Sequence, residues 1–487
     1  MLFGSFTFLL GFLPVTWFVY QALSRPQSQL YAKVFLVLAS LVFYGWWDVR
    51  YVPLILLSVL TNYALSLLIQ AYPGRARLTF ICGIVFNLGL LGYFKYANFI
   101  SLNVSELLGL HLTLQKVILP LAVSFFTFQQ IAYIVEVYKD KKAADSFLDY
   151  SLFVLFFSHL IAGPITHHKE MLPQFKVSGR APTPANYMNV GLAILVLGLF
   201  KKAVVADTLS GFCNPIFNAA DAGASVSTQA AWMGALAYTQ QLYFDFSAYS
   251  DMAIGLGLMF GVRLPVNFAS PYKSASIIEF WRRWHISLSR FLRNYLYIPL
   301  GGNRRGEAMR FVNLMITMAL GGLWHGAGWT FLAWGVLHGA YLVVNHLWRS
   351  AFGSARGRAS LLAGWCLTSL AVVVGWVMFR ATTFGGAERV LQGMFNPAYA
   401  HLNDGFRISA LEWLAVAVAS LITVGSPNVL ELAGYPDSTP GLPIEADGIT
   451  PLHWAAPASA TAAGLGVVAA FAIAKLPNPG VFLYFNF

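Results

Sequence analysis

The sequence predicts an all-α, polytopic membrane protein, with about 11 transmembrane helices and further re-entrant or interfacial helices. Three observations predict it. First, 57% of the 487 residues are hydrophobic and only 10% are charged, where a soluble chain carries roughly a quarter charged residues. Lipid removes the need for a charged surface, because the apolar face turns outward. Second, apolar runs long enough to cross a bilayer recur along the whole chain; a spanning helix needs about 20 such residues. Third, the basic residues gather in short loops between those runs.

In chain order, the candidate runs are roughly 5–24, 31–47, 51–70, 78–98, 117–137, 148–164, 187–206, 228–245, 248–262, 311–325, 329–347, 360–379, 408–426 and 459–475. Several are short or interrupted, hence the count of about 11. The first run has no basic residue before it and no small-residue cleavage site after it, so it is expected to be a retained helix. Arg25 to Lys33, Arg75 with Arg77, and Lys139 to Lys142 mark alternate loops. By the positive-inside rule these loops are cytoplasmic and the N-terminus is outside. Beyond residue 160 the alternation blurs, and His167-His168-Lys169 with the Pro-rich stretch to Pro184 fits no simple crossing. The segment 263–310 holds nine Lys or Arg and two Glu and is expected to be cytoplasmic. The stretch 427–458, rich in Pro and acidic residues, is expected to be an external loop. The chain is read as one integral membrane domain, 1–487.

The net charge of +11 would suggest nucleic acid in a soluble protein. Here loop placement explains it, and no nucleic acid partner is expected; the expected partner is the bilayer itself. Cys82, Cys213 and Cys366 are far apart and suggest neither a disulfide framework nor a thiolate metal site. No Walker loop, dinucleotide fingerprint, Gly-x-Ser-x-Gly elbow or zinc spacing occurs. A protein-borne serine or cysteine nucleophile is therefore not signalled, no metal is expected, and a histidine base acting on a bound acceptor fits better.

His325 is the leading chemical candidate. It lies in Gly321-Gly-Leu-Trp-His-Gly-Ala-Gly-Trp-Thr330, an apolar stretch with four glycines. A titratable group at membrane depth is expensive and marks a function by default, and glycines permit a broken helix or close backbone approach. His338 follows in Trp334-Gly-Val-Leu-His-Gly339, turned by about 140° from His325 on a straight helix; for it a packing role is the stronger reading. Upstream, Glu279 to Tyr295 has helical periodicity. Arg282, Arg283, Ser289, Arg290 and Arg293 fall within an arc of about 120°, Trp281, Trp284, Leu288, Phe291, Leu292 and Tyr295 oppose them, and His285 lies at the border. The segment reads as an amphipathic helix on the cytoplasmic face. Its arginines either anchor it to headgroups or hold an anionic donor, since guanidinium pairs well with phosphate. Gln240 to Asp251 places Asp245, Ser247 and Tyr243 in an apolar region, and Ser124 to Gln130 places Gln129 and Gln130 among aromatics. For both stretches, interhelical hydrogen bonding stands beside a functional role.

Together these stretches resemble the membrane-bound O-acyltransferase family, most closely its bacterial alginate-acetylating branch. The matching residues include Phe43-Tyr-Gly-Trp-Trp47, Gly92 to Asn98, Ser124 to Gln130, Ile161-Ala-Gly-Pro164, Gln241 to Asp251, Phe280 to Asn303, Gly322 to Gly339, Gly375 to Arg380 and the ending Phe482 to Phe487. Departures are Arg293-Asn-Tyr295 where Arg-Asp-Tyr is common, Ser158-His159 where Pro-Gln is common, and Asn486 where Gln is common. The resemblance implies helices packed around a central tunnel, lined by Gln129, Gln130, Tyr243, Asp245, Ser247 and Trp324. It implies that the family's key histidine is His325 and that its second polar position, forty residues upstream, is His285. It implies a cytosolic acetyl donor, acetyl-CoA, bound by Arg282, Arg283, Arg290 and Arg293, with no bound cofactor. It also implies a multi-pass protein of the bacterial inner membrane, a periplasmic SGNH-type partner and exopolysaccharide machinery such as that for alginate. In that scheme His325, neutral near pH 7, accepts the proton of the attacking hydroxyl, and His285 orients it, binds the donor or polarises the carbonyl. A teichoic-acid-type or peptidoglycan-directed acyltransferase and, in another class, a polymer-precursor flippase with histidine proton relays are the rival readings.

Overall fold

A computed structural model describes residues 1–25, 27–109, 117–176, 185–353, 357–435 and 458–476. Among them every regular element is helical, as the sequence predicts. In chain order the helices are α1 (Thr7–Leu23), α2 (Gln29–Gly45), α3 (Val52–Ala71), α4 (Ala76–Leu91), α5 (Ala97–Leu108), α6 (Val123–Asp140), α7 (Phe147–Leu155), α8 (Ala185–Phe200), α9 (Asp207–Asp221), α10 (Thr228–Met259), α11 (Ile277–Arg283), α12 (Ile286–Leu292), α13 (Glu307–His325), α14 (Trp329–Phe352), α15 (Arg358–Arg380), α16 (Phe384–Phe395), α17 (Ala410–Gly425) and α18 (Ala458–Lys475). A further nine-residue helix, His168–Lys176, lies between α7 and α8, and short helical turns and loops make the other connections.

The surface is inverted relative to a soluble protein. Leu10, Phe18, Leu57, Leu362, Leu367 and Leu421 are all more than half exposed, while Asn62, Gln130, Asn267 and His338 are fully buried. That distribution suits lipid outside and hydrogen-bonded polar groups inside. Among the described residues, four helical stretches are long and apolar enough to cross a membrane: Val49–Ala71, Pro73–Leu108, Asn186–Asp221 and Arg358–Arg380. Thr7–Leu23, Gln29–Gly45, Ala410–Gly425 and Ser459–Lys475 are apolar but shorter. The expected count of about 11 is therefore not reached on these criteria. The shortfall has a physical source: buried polar residues dilute the hydropathy of helices such as α6 and α10, whose sequences carry Gln129, Gln130, Gln240, Gln241, Asp245 and Asp251.

The described residues divide into two compact units. The first takes Met1–Val196, Tyr249–Val266 and Ala433–Pro457. Polar pairs tie its helices together. Asn62 of α3 and Asn87 of α4 exchange amide hydrogen bonds of 3.2 and 2.6 Å, and Lys33 of α2 pairs with the buried Asp149 of α7 at 2.6 Å. The His167-His168-Lys169 stretch, which fits no simple crossing, is tied to the end of α6: the Lys169 ammonium lies 2.8 Å from both Glu136 and Asp140. Those carboxylates, Asp140 first, hold the Lys169 ammonium above its ordinary range.

The second unit takes Leu197–Ala248, Asn267–Leu432 and Ala458–Phe487. At its centre α13 and α14 form an antiparallel hairpin. Glycine is required where they cross: a Cβ on Gly335 would meet the Met318 carbonyl oxygen at 2.3 Å, and one on Gly322 would meet that of Phe331 at 2.2 Å. The hairpin turns at Gly326 and Gly328, both in extended conformation, so His325 ends one helix and Trp329 begins the next. The straight-helix offset between His325 and His338 therefore does not apply; they stand on two antiparallel helices. Most of the acidic stretch 427–458, the Pro-rich segment to Pro184 and the ending Phe482 to Phe487 fall outside the described residues. Where 427–458 begins, Asn428 donates to Ser270 at 3.0 Å, and Lys273 donates to the Ser426 carbonyl at 2.8 Å.

Candidate active site

The segment Glu279 to Tyr295 is not one continuous amphipathic helix. α11 stops at Arg283, Trp284 is extended, and His285 takes a left-handed conformation with φ 44° before α12 begins. A non-glycine residue there costs about 1–3 kcal/mol and persists only when its surroundings fix it. Asn267 does the fixing. Its side-chain oxygen accepts from the Ser287 backbone N–H at 3.2 Å and the Ser287 hydroxyl at 2.9 Å. The Ile286 N–H donates to the Asn267 carbonyl at 2.9 Å, and the Ala269 N–H donates to that of Arg283 at 3.0 Å. The break also voids the helical projection: Trp284, Leu288, Phe291 and Leu292 are buried in protein instead of facing lipid, and His285, expected at the border, is fully buried.

The same Asn267 oxygen lies 3.1 Å from His285 Nδ1. A backbone N–H can only donate, so its bond from Ser287 identifies that Asn267 atom as the oxygen. Nδ1 must then carry the proton, and in the neutral ring Nε2 carries the lone pair.

The two histidines meet. The rings of His285 and His325 are 6.3 Å apart between centroids, at 56°. His325, 4% exposed, is the last residue of α13. Its ring is walled by Trp324 at 5.1 Å, Trp334 at 5.2 Å and Phe379 at 5.3 Å, and Trp324 also stands 6.1 Å from His285. On the far side of His285, Phe246 of α10 meets its ring edge-on at 4.7 Å. The arrangement is two buried imidazoles among aromatic rings, one with a fixed tautomer. Such a setting serves proton transfer at a group shielded from water.

The remaining candidates separate. Arg283 pairs with Glu279 at 2.9 Å and donates to the Ala269 carbonyl at 3.2 Å, so it braces α11. Arg282 and Arg293 are exposed, and Arg290 is half-buried. Tyr243, Asp245 and Ser247 lie on α10 in the same unit as the histidines. Tyr243 packs on Phe268, Tyr272 and Trp284; the Ser247 hydroxyl donates to its own helix at the Tyr243 carbonyl. Asp245, 1% exposed, pairs with Lys202 at 2.6 Å, and Lys202 also holds Asp207 at 2.7 Å. Lys202 sits in a π-helical turn, Lys201–Ala206, a feature common at functional sites. Gln129 and Gln130 belong to the first unit and act as interhelical ties. Gln129 donates to Thr166 at 2.9 Å; Gln130 donates to Ser58 at 2.8 Å and accepts from Tyr150 at 3.0 Å. Among the described residues no group of three or more His, Cys, Asp or Glu is placed to hold a metal.

Sequence reasoning missed Asn267 and Lys202. The only sequence signal for Asn267 was an amide within the Val266-Asn267-Phe268-Ala269 run; for Lys202 it was a lysine pair entering an apolar helix.

A helical membrane chain with paired histidines on a broken helix and a glycine-crossed hairpin defines a class, and comparison with known proteins agrees. The chain belongs to the membrane-bound O-acyltransferase family, whose model matches residues 42–385. It is an O-acyltransferase, which sets aside the flippase reading. Among its relatives, the peptidoglycan O-acetyltransferase of Helicobacter pylori is 44% identical, with 81% of this chain and 80% of that protein covered. A probable alginate O-acetylase AlgI of Pseudomonas aeruginosa is also 44% identical, covering 81% of this chain and 75% of that one. The corresponding Pseudomonas putida protein is 40% identical over the full length of both.

Proposed function

We propose that the protein takes acetyl from a cytosolic thioester, acetyl-CoA, and passes it across the bacterial inner membrane for O-acetylation of an exopolysaccharide such as alginate, through a periplasmic SGNH-type partner. The full-length likeness to the Pseudomonas putida protein supports the polymer class. The observation that carries the chemistry is the pair His285 and His325, 6.3 Å apart within an aromatic wall. His325 is the general base. It accepts the proton of the acceptor hydroxyl as that oxygen bonds to the thioester carbonyl carbon. The C–S bond then breaks, and the departing thiolate takes the proton from the imidazolium. His285, with Nδ1–H committed to Asn267, has no Nε2 proton in its neutral form to polarise a carbonyl. Its Nε2 lone pair accepts from a second donor group of the bound substrate and so helps to orient it, while the single proton of the attacking hydroxyl goes to His325.

The test is acetyl-CoA consumption by purified His325→Ala, with folding checked by thermal unfolding in detergent. A loss of about 100-fold or more is expected for a general base; wild-type turnover in a folded variant removes His325 from the mechanism. A peptidoglycan acceptor is the second reading, carried by the 44% identity to the Helicobacter pylori protein. Acetyl label appearing on purified peptidoglycan, and not on exopolysaccharide, would select it.

A further inference from the structure

We infer that Lys202 is a positioning residue for acyl transfer: with Lys201 beside it, it locks the rotation of α10 and so seats Phe246 against the His285 ring. The inference rests on the role given to His285 above and adds residues that this role does not use.

Charge at this place in the chain needs a reason. Asn186–Asp221 is long and apolar enough to cross a membrane, and Lys201 and Lys202 stand near its middle. Ionised groups at membrane depth are expensive and mark a function by default. The two lysines open the π-helical turn Lys201–Ala206, which is closed by a bond from the Asp207 N–H to the Lys202 carbonyl. The Lys202 ammonium also lies 2.7 Å from the Asp207 carboxylate, so its side chain is braced on its own helix.

Both lysines reach α10. The Lys202 ammonium lies 2.6 Å from Asp245. The Lys201 ammonium lies 5.4 Å from the centre of the Tyr243 ring, within cation–π range. On a regular helix Tyr243 and Asp245 are about 160° apart, and Phe246 falls between them. The lysines thus hold α10 on two sides, and rotation about its axis is the motion they oppose.

That rotation is the one the histidine site tolerates least. Phe246 meets the His285 ring edge-on at 4.7 Å and Phe268 at 4.9 Å. Tyr243 packs at 6.5 Å on Trp284, the extended residue that breaks the helix just before His285. Turning α10 by about 10° would move a side chain lying about 5–6 Å from its axis by about 1 Å. A misplacement of about 1 Å can cost about 100-fold in rate. Asn267 holds the Nδ1 edge of His285, and Phe246 bears on the same ring from α10, so two elements fix it together.

The test separates positioning from simple stability. Lys202→Met/Asp245→Leu removes the pair without stranding the Asp245 carboxylate. It should regain part of the stability that Lys202→Met loses, but not the grip on α10. Acetyl-CoA consumption by the full-length double variant in detergent should show kcat lower by about tenfold to a hundredfold, with the donor KM little changed. A kcat that returns with the stability makes the pair a plain structural brace and overturns the inference. Phe246→Leu checks the route. If Lys202 acts through Phe246, the kcat losses of Phe246→Leu and of the double variant do not add when combined; additive losses overturn the inference. Imidazole nitrogen NMR spectra of the same proteins need no turnover, and the His285 signal is assigned by its loss in His285→Gln. That signal should shift in the double variant; an unmoved signal overturns the inference. A wild type that consumes no acetyl-CoA, while the His285 signal still moves in the double variant, removes the acetyl-transfer reading and leaves the grip on α10 standing.

Discussion

Asn267 shows what a single side chain can determine. One oxygen collects the Ser287 N–H, the Ser287 hydroxyl and His285 Nδ1, so it sets both the left-handed backbone of His285 and the tautomer of its ring. Asn267→Ala removes all three bonds at once. The expected result is a kcat lower by about 100-fold, the cost of misplacing a reacting group by roughly 1 Å, with the donor KM little changed. Stability should also fall by about 1–3 kcal/mol, since Ser287 is buried and loses its acceptor. Steady-state kinetics beside thermal unfolding would test this; full kcat in Asn267→Ala would mean that His285 needs no such support. The histidines were singled out in the sequence in two ways, His325 as a costly group in a glycine-rich apolar run and His285 through the family resemblance, which puts a second polar position forty residues upstream. Asn267 was not. Its partners stand about twenty residues away across a reversing loop, and no periodicity connects an amide to a backbone N–H that the fold has yet to place.

Helix breaks decide how the elements work, and the sequence encodes them unevenly. The glycines around His325 announced a break, and α13 does end there. The break at His285 was hidden, because Glu279 to Tyr295 carries an unbroken helical pattern of arginines and aromatics; only the tertiary contact with Asn267 overrides it. The α13–α14 crossing gives a prediction at this scale. Gly335→Ala forces a methyl group against the Met318 carbonyl and the Ala319 Cα, which side-chain rearrangement cannot relieve. A loss of about 1–3 kcal/mol is expected, with activity falling because His325 ends the displaced helix. Gly328→Ala is the control: its nearest neighbour is the Phe331 ring at 3.4 Å, an ordinary contact, and its backbone is extended. Thermal unfolding of the two in the same detergent should separate them, and equal midpoints would deny that close approach holds the hairpin. The Lys202 pairings make a second case. Lys202→Met leaves Asp245, 1% exposed, and Asp207 facing each other without their shared cation, at a cost of about 3–5 kcal/mol. Restoring part of that stability with Lys202→Met/Asp245→Leu, measured by the same unfolding assay, is the expected signature of a buried carboxylate that relied on the Lys202 ammonium.

For the whole molecule, the basic loops are the strongest remaining source of orientation. Composition made the membrane class legible, because an exposed surface of Leu, Phe and Val cannot be built in water. The number of crossings was less legible, because a helix that buries Asn, Gln or Asp against its neighbours loses hydropathy without leaving the membrane, as in α6 and α10. Charge is not diluted in this way. Arg75 and Arg77 flank the start of α4, and Lys139 to Lys142 flank the end of α6, so both loops should face the cytoplasm, while Asp48 to Arg50, between α2 and α3, should face outward. Asp48 and Arg50 bind each other at 2.7 Å, so this external loop carries little net charge to oppose that placement. Single cysteines at Arg75, Lys141 and Val49, in a background with Cys82, Cys213 and Cys366 replaced by serine or alanine, report the arrangement directly. A membrane-impermeant maleimide added to intact cells should label the Val49 position and spare the other two until the cells are opened. Labelling of position 75 from outside would invert the first four helices. It would also place Arg25 and Lys33 on the wrong face for the positive-inside rule, and with them the side from which a soluble thioester donor must arrive.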